Sequence, residues 1–175
     1  MRRRRRKKND PREPADHALG RSRGGFSTKI HLICDASGLP IHFVLSPGQA
    51  HENTNLVDLL NGVDDELRDG AGEVVPWPVA IAGDKGYRAE WIDQMLMEID
   101  VLPVIPSKEN EDCDARPVEF DRERYRDRNI IERLIGWLKE ARAVFARFEK
   151  TARNYAGMIN MACIRRYLKI LTNGV

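Results

Sequence analysis

The sequence has few cysteines and no long hydrophobic run, and both shortages exclude classes of protein. Its three cysteines among 175 residues are far apart and form no Cys-x-x-Cys or Cys/His spacing, which argues against a disulfide scaffold and favours a reduced, intracellular protein. No apolar run approaches the ~20 residues that a membrane-spanning helix needs. The basic start, RRRRRKK, is not followed by an apolar stretch, so we expect no signal peptide and a cytoplasmic protein without a membrane partner.

The net charge is only +2, but the charges are unevenly distributed. Residues 1–24 carry ten Lys or Arg against three Asp or Glu, whereas residues 25–115 carry five against seventeen. Residues 116–153 return to a basic balance of eleven against seven. Basic ends around an acidic middle fit a protein whose middle binds cations and whose ends contact phosphate. The alternative is that each charged face is simply solvated.

Length and hydrophobic content predict one folded domain, over 26–172, preceded by a basic, disordered arm over 1–25. The hydrophobic periodicity gives the element order β-β-α-β-α-β-α-α, which is typical of an α/β fold with a mixed sheet and helices on both faces. The predicted elements are a hairpin at 26–45, a helix from Asn53 or Thr54 to about 62, a strand at 79–82, a helix at 89–99, a strand at 101–105, and helices at 121–146 and 152–170.

Four polar side chains share one face of the predicted helix at 121–146. At ~100° per residue they fall within an arc of roughly 60°. One carboxylate, two cations and one phenol on a single face suit a site that holds a metal ion beside phosphate. The alternative is a surface glutamate paired with an arginine one turn earlier. The residues are Tyr125, Arg128, Glu132 and Lys139.

Asp84 follows a short strand, Val79–Ala82, that is apolar throughout. Such a run is typical of a central strand buried on both faces. A carboxylate at a strand end and a second on a helix, Glu132, supply the oxygen ligands that Mg²⁺ prefers. The alternative is that Asp84 only caps the turn in the segment DKGY.

The Tyr-x2-Arg-x3-Glu-x6-Lys spacing that begins at Tyr125 resembles the signature of bacterial insertion-sequence transposases of the DDE class, which have an RNase H-like core. Three further segments are similar to this family in the same order, and the resemblance extends from residue 18 to residue 171. These segments are GRSRGGFSTKIHLICDASGLPIHFVLSPGQAHENT (20–54), AGDKGY (82–87) and the two C-terminal helices (128–168).

The resemblance implies DNA-mediated transposition by metal-dependent strand cleavage and strand transfer, with Mg²⁺ or Mn²⁺ as the cofactor. Asp84 and Glu132 would be the metal ligands. Tyr125, Arg128 and Lys139 would assist catalysis by holding phosphate groups. The expected partner is double-stranded DNA, at the element ends and at the target. We also expect a homodimer on DNA, associated with the bacterial nucleoid.

Four cations are candidates for contact with the DNA backbone. Two lie in the glycine-rich GRSRGG segment, one lies on the first hairpin strand, and one follows Asp84. Arginine among flexible glycines commonly meets nucleic-acid phosphate. The candidates are Arg21, Arg23, Lys29 and Lys85.

One part of the family pattern is missing. In the family the first catalytic aspartate lies on a strand before GRSRGGFSTKIH, but residues 1–19 contain no apolar run that could form a strand. The resemblance therefore implies an RNase H-like sheet without its first strand. Asp35 also ends a strand, but Asp-Ala-Ser-Gly favours a turn rather than a replacement ligand.

Because one ligand is missing, we expect the isolated chain to be weakly active or inactive. It could be one half of a frameshifted element or a decayed remnant. A different hypothesis is a non-catalytic DNA-binding or oligomerisation fragment that modulates an intact transposase.

Overall fold

The computed structural model describes residues 17–22, 24–68, 71–112 and 116–173. Its elements follow the predicted order, with one additional strand and with the first long helix divided into three. A short 3-10 turn leads into α1, and a second follows Asp84. The elements are β1 (Gly20–Ser22), β2 (Gly25–Cys34), β3 (Pro40–Pro47), α1 (Leu56–Glu66), β4 (Ala80–Ala82), α2 (Glu90–Glu98), β5 (Leu102–Val104), α3 (Arg122–Arg126), α4 (Asn129–Glu140), α5 (Arg142–Ala146) and α6 (Ala152–Asn173).

The predicted hairpin is present as β2 and β3. The two strands pair antiparallel from Thr28 opposite Pro47 onward, with one irregularity near the end of β2. The turn between them is built by Asp35, whose Oδ1 accepts the backbone N–H groups of Ser37 and Leu39 at 2.9 and 2.8 Å. The aspartate therefore serves the turn, as its sequence context indicates.

Helices cover both faces of the hairpin, because successive side chains of β2 point to opposite sides. Ile33 packs against a core formed by α1 and α2, whereas Ile30 and Leu32 pack against a core formed by α4, α5 and α6. Each buried aliphatic side chain contributes roughly 1.5–3 kcal/mol. The buried residues of the first core are Leu56, Leu59, Leu60, Ile92, Leu96, Val101 and Ile105, and those of the second are Leu134, Leu138, Val144, Tyr155, Ile159 and Ala162.

This arrangement confirms the predicted α/β class and is compatible with an RNase H-like core. The strands form two sheets rather than one. β1, β2 and β3 make an antiparallel sheet, and β4 pairs in parallel with β5. Among the described residues, no strand joins the two sheets by backbone hydrogen bonds.

The single helix predicted over 121–146 is wrong. α3 and α4 are separated by a tight turn, in which the backbone N–H of Arg128 bonds to the carbonyl of Tyr125, three residues earlier. α4 ends because Ala141 adopts an extended conformation, with ψ at 107°. The break redirects α5 so that Val144, only 3% exposed, enters the same core as Leu138.

The first strand, β1, lies inside the segment that the sequence predicts as the basic arm. It pairs antiparallel with β2, with Gly20 opposite Ser27. Ordered structure therefore begins before the predicted boundary at residue 25. The arm's residues 1–16 lie outside the described residues. None of the helices in the described ranges has the length and apolar character to cross a membrane.

Candidate active site

Arg128 joins the two carboxylates that the sequence singles out. Its Nη1 donates a 2.7 Å hydrogen bond to Asp84 Oδ1, and its Nη2 lies 2.7 Å from Glu132 Oε1. Asp84 follows β4 after a single glycine, and Glu132 lies in the first turn of α4. The contact therefore ties the strand end to the helix across a sequence separation of 44 residues.

Both carboxylates remain accessible to solvent, with the Asp84 side chain 63% exposed and the Glu132 side chain 58% exposed. Asp84 makes no side-chain cap to the 3-10 turn that follows it, so capping is not its role here. The ion pair between Arg128 and Glu132, four residues apart, is present. This pairing is the alternative role that the sequence allows for the glutamate. However, the same guanidinium also holds Asp84.

The Tyr125 ring packs against the Arg128 guanidinium. Its ring centroid lies 5.2 Å from the Arg128 guanidinium carbon, a cation–π contact. Phe120 packs edge-on against that ring at 5.1 Å. Burial alone would lower the pKa of Arg128, but the charges of Asp84, Tyr125 and Glu132 raise that pKa above its ordinary value. The guanidinium therefore stays charged.

Lys139 stands apart from this group. It is exposed near the end of α4, ~10 Å along the helix axis from Glu132 at 1.5 Å per residue. Within the described part of the chain its side chain makes no hydrogen bond or ion pair. The structure thus brings together three of the four residues on the predicted helix face, and leaves the lysine free to meet a ligand.

A cavity of about 360 Å³ opens beside the cluster and contains a group that the sequence reasoning missed. Lys29 Nζ lies 2.5 Å from Glu52 Oε1 and donates to the carbonyl of Ala50 at 2.6 Å. Partial burial alone would raise the pKa of Glu52, but the hydrogen bond and charge of Lys29 help to lower it below its ordinary value. A Cβ added at Gly86 would lie 3.1 Å from the Glu52 side chain. The DKGY and GQAHENT segments are therefore in close contact, and the glycine in DKGY is the sequence feature that permits it.

His31 fixes Tyr87 beside the same cavity. The histidine is 2% exposed, and its Nδ1 and Nε2 lie 2.7 Å from Tyr87 Oη and 2.8 Å from Ser46 Oγ. Burial lowers the pKa of His31, and burial with the nearby negative charges of Glu52 and Asp84 raises the pKa of Tyr87 to about 12. His31 therefore holds the DKGY turn against β2 and β3 and has a structural role.

The candidate DNA-binding residues fall into different environments. Arg21 is exposed on β1. Lys85 is exposed but lies 3.2 Å from Glu109, and Lys29 is held by Glu52 as described above. Arg23 lies outside the described residues. Of the three that the structure describes, Arg21 is therefore the one whose charge is not paired with a neighbouring acid.

No group of three or more His, Cys, Asp or Glu side chains that could hold a metal ion occurs within the described ranges. Asp84 and Glu132 supply oxygen donors of the kind that Mg²⁺ and Mn²⁺ take. The guanidinium between them shows that their combined negative charge already attracts a cation. The donor set therefore fits a divalent ion in chemical type and provides two protein ligands.

The chain has an α/β core with helices on both faces of its strands. A carboxylate at a strand end is linked through Arg128 to a carboxylate on a helix. This is the architecture expected of a DDE-class transposase core. The chain belongs to the transposase DDE domain family, which it matches over residues 2–165. The resemblance to insertion-sequence transposases is thereby confirmed.

Two relatives agree with this assignment. The chain is 26% identical over 136 residues to a protein from Burkholderia cepacia named as a transposase for insertion sequence element IS402, a match that covers 78% of this chain and 60% of that relative. It is 27% identical over 144 residues to a protein from Brucella ovis named for element IS6501, covering 82% of this chain and all of that relative. No solved structure matches the chain.

Proposed function

We propose that this chain takes part in DNA transposition through metal-dependent cleavage and transfer of DNA strands, with Asp84 and Glu132 as metal ligands. The observation that carries the proposal is the double contact of Arg128, which draws both carboxylates to one exposed point at the mouth of a cavity. A structural ion pair would need only one of the two acids.

A divalent ion bound here would polarise a phosphate oxygen and activate a water or 3′-hydroxyl for in-line displacement. Asp84 and Glu132 would hold it. Arg128 is suited to bidentate contact with phosphate, and Tyr125 packs against its guanidinium in a cation–π contact. Lys139 would act as a point charge further along the DNA backbone.

The proposed substrate is double-stranded DNA at the element ends and at the target, contacted by Arg21, Lys29 and Lys85. Arg23, which lies outside the described residues, stays a candidate contact from the sequence. We further propose a homodimer on DNA, associated with the nucleoid in the bacterial cytoplasm. An exposed apolar stripe on α6, formed by Met161, Ile164, Leu168 and Leu171, supports the dimer, because such a surface is costly to leave in water.

Two protein ligands are fewer than the family's set of three acids. We therefore expect the isolated chain to cleave DNA weakly or not at all, and the test of the site should not depend on turnover. Binding of Mn²⁺, measured by electron paramagnetic resonance, reports the ligands directly.

The wild-type chain should bind Mn²⁺, and Asp84→Asn and Glu132→Gln should each weaken binding at least tenfold. Glu140→Gln, which removes an exposed acid from the same helix, is the matched control and should bind like the wild type. Equal affinity in all four proteins would contradict the assignment of Asp84 and Glu132 as ligands.

A second candidate function is a non-catalytic DNA-binding fragment that modulates an intact transposase. The observation that favours it is the ion pairing of Arg128 with both Asp84 and Glu132, which offsets part of their negative charge. On this alternative, Asp84→Ala leaves DNA affinity unchanged and Mn²⁺ has no effect. If the chain is catalytic, Asp84→Ala abolishes any Mg²⁺-dependent nicking of a supercoiled plasmid that the wild-type chain shows.

A further inference from the structure

Two phenylalanine rings are exposed to solvent where α5 ends. Phe145 is 72% exposed and Phe148 is 66% exposed, and they are the most exposed aromatic side chains in the part of the chain that the structure describes. Val144, beside Phe145 in the sequence, is the residue of this segment that enters the second core. Because burial of a phenylalanine ring is strongly favourable, two rings left in water three residues apart indicate a binding surface.

Cations outnumber acids around the two rings. Residues 139–153 carry five Lys or Arg against two Glu. Arg142 is exposed, and its guanidinium carbon lies 5.8 Å from the centroid of the Phe148 ring. It also lies one helical turn before Phe145, so the two side chains are neighbours on α5. Lys150 and Arg153 follow, both exposed, and neither forms an ion pair with an acid of the described ranges.

Arg147 holds the backbone that presents the rings. It is the residue at which α5 ends, and its φ of 39° lies in the left-handed region, which is unfavourable for a residue with a side chain. Such strain persists where the surroundings fix it. Here the guanidinium donates to the carbonyl groups of His17 and Ala18 and lies 4.9 Å from the Tyr155 ring. Tertiary contacts therefore set the turn that leaves Phe148 in solvent.

Exposed aromatic rings among cations have the chemistry that binds unpaired nucleotides. Every base has a flat face that stacks on an aromatic ring, and nearby cations contact the phosphates on either side. In an intact duplex these faces are stacked on one another and closed to a protein ring. The core of a protein–protein interface is depleted of charged residues, so the charge around these rings favours nucleic acid over a second polypeptide.

We propose that the rings of Phe145 and Phe148 stack with unpaired bases of a DNA strand. Arg142 lies beside the rings, and Lys150 and Arg153 bind the phosphates of the same strand. The ligand class is single-stranded DNA of any sequence, because stacking does not read the edges of the bases. The inference rests on the proposed function only in taking DNA as the partner. It involves none of the proposed metal ligands and needs no metal ion.

Fluorescence anisotropy of a labelled oligonucleotide tests the proposal on the full chain, with EDTA present so that no metal ion contributes. The probe is a strand of about twelve thymidines. The comparison is an abasic strand of the same length, which carries the same phosphates but no bases. The wild-type chain should bind the thymidine strand about tenfold more tightly, because only that strand can stack. Equal affinity for the two strands would show contact with phosphate alone and would overturn the proposal.

Phe145→Ala and Phe148→Ala should each reduce the preference for the thymidine strand severalfold, whereas Phe145→Tyr should retain it, because a phenol ring also stacks. Met97→Ala, at an exposed apolar site on α2, is the matched control and should bind both strands like the wild type. Thermal unfolding checks that the variants fold, and the comparison of the two strands on the wild-type chain needs no variant. An unchanged preference in both alanine variants would contradict the assignment of the rings.

Asp84→Asn separates this site from the candidate active site. It should leave the preference for the thymidine strand unchanged, and loss of that preference would place the unpaired bases at the active site and overturn the proposal. If the alanine variants change self-association in light scattering but not strand binding, the rings belong to a protein interface and the proposal is wrong. A chain that binds no Mn²⁺ but keeps the preference would refute the proposed metal site and support the stacking site.

Discussion

Arg128 is the residue at which the strand end and the helix of the candidate site meet. Its guanidinium contacts Asp84, Glu132 and the ring of Tyr125, and its side chain is only 22% exposed. A cation already seated between two carboxylates must compete with any divalent ion for the same oxygens. The arginine is therefore both a candidate phosphate contact and a resident counter-ion.

Competition between Arg128 and a divalent ion predicts the direction in which Mn²⁺ affinity changes when the arginine is removed. Arg128→Ala should strengthen Mn²⁺ binding several-fold, because the carboxylates lose their internal partner, and should weaken DNA binding, because a phosphate contact is lost. Arg133→Ala, an exposed arginine on the same helix, is the control and should leave Mn²⁺ affinity unchanged. Weaker Mn²⁺ binding in Arg128→Ala would show that the arginine positions the acids instead of competing.

His31 makes the stability of the fold depend on pH. Burial lowers its pKa in the folded chain from the ordinary 6.5, so the unfolded chain binds the extra proton first. Its contribution is therefore present above pH 6.5 and is lost as the pH falls toward the folded-state pKa. Urea unfolding between pH 7.5 and 5 should show a falling free energy of unfolding. His31→Asn should flatten that fall, and His51→Gln, at an exposed loop position, should not.

Asp93 is a buried charge whose role is structural. It is fully buried on α2 and accepts hydrogen bonds from Arg116 Nε and Nη2 at 2.9 and 3.1 Å, and Arg88 Nη1 lies 2.9 Å away. Removing it leaves the buried Arg116 guanidinium without its acid partner and the buried Arg88 with Glu111 alone. Asp93→Ala should cost about 3–5 kcal/mol of unfolding free energy, measured in urea. Glu90→Ala, at an exposed position on the same helix, should cost little, and a similar cost for both would contradict the network's importance.

At the scale of elements, α6 carries an apolar surface that nothing in the described chain covers. One face of this helix packs into the core through Tyr155, Ile159 and Ala162. The opposite face repeats large apolar residues at intervals of three and four, the spacing of a coiled-coil seam. These exposed residues are Met161, Ile164, Leu168 and Leu171, between 51% and 79% exposed.

The stripe should mediate the proposed dimer. Leu168→Lys combined with Met161→Lys should shift the chain from dimer to monomer in light scattering after size exclusion, since two buried charges would oppose the seam. Met97→Lys, a similarly drastic change at an exposed site on α2, should not change the oligomeric state. A wild-type chain that is monomeric at high concentration would contradict the prediction.

At the scale of the whole molecule, the basic ends and acidic middle predict how DNA binding responds to salt. Each phosphate neutralised contributes about −0.9 to the slope of log affinity against log salt concentration. Arg21→Ala and Lys139→Ala should each reduce the slope by roughly 1 and weaken binding to all sequences alike. Lys108→Ala, in the acidic middle, should not alter it. The measurement is fluorescence anisotropy of a labelled duplex over a salt series.

The sequence predicted much of the fold because its signals are local. The alternation in β2, the turn formed by Asp35 and the periodicity of α2 and α6 depend on neighbouring residues and reappear in the structure. The division of the helix at 121–146 could not be read in this way. Residues 138–144 contain no proline or glycine that would signal a helix end. The break at Ala141 instead allows Val144 to pack against Tyr155 and Ile159 of α6.

The element order, the helical spacing of Arg128 and Glu132 and the place of Asp84 after a short strand follow from the sequence alone, because strand and helix periods are properties of the local chain. The predicted burial of that strand on both faces is wrong, since Val79 is 74% exposed and Ala82 is exposed. The contact of Arg128 with Asp84, the ion pair of Glu52 with Lys29 and the division of the strands into two sheets could be seen only in the folded chain. These features depend on how separate elements pack, and packing direction is not encoded in any one segment.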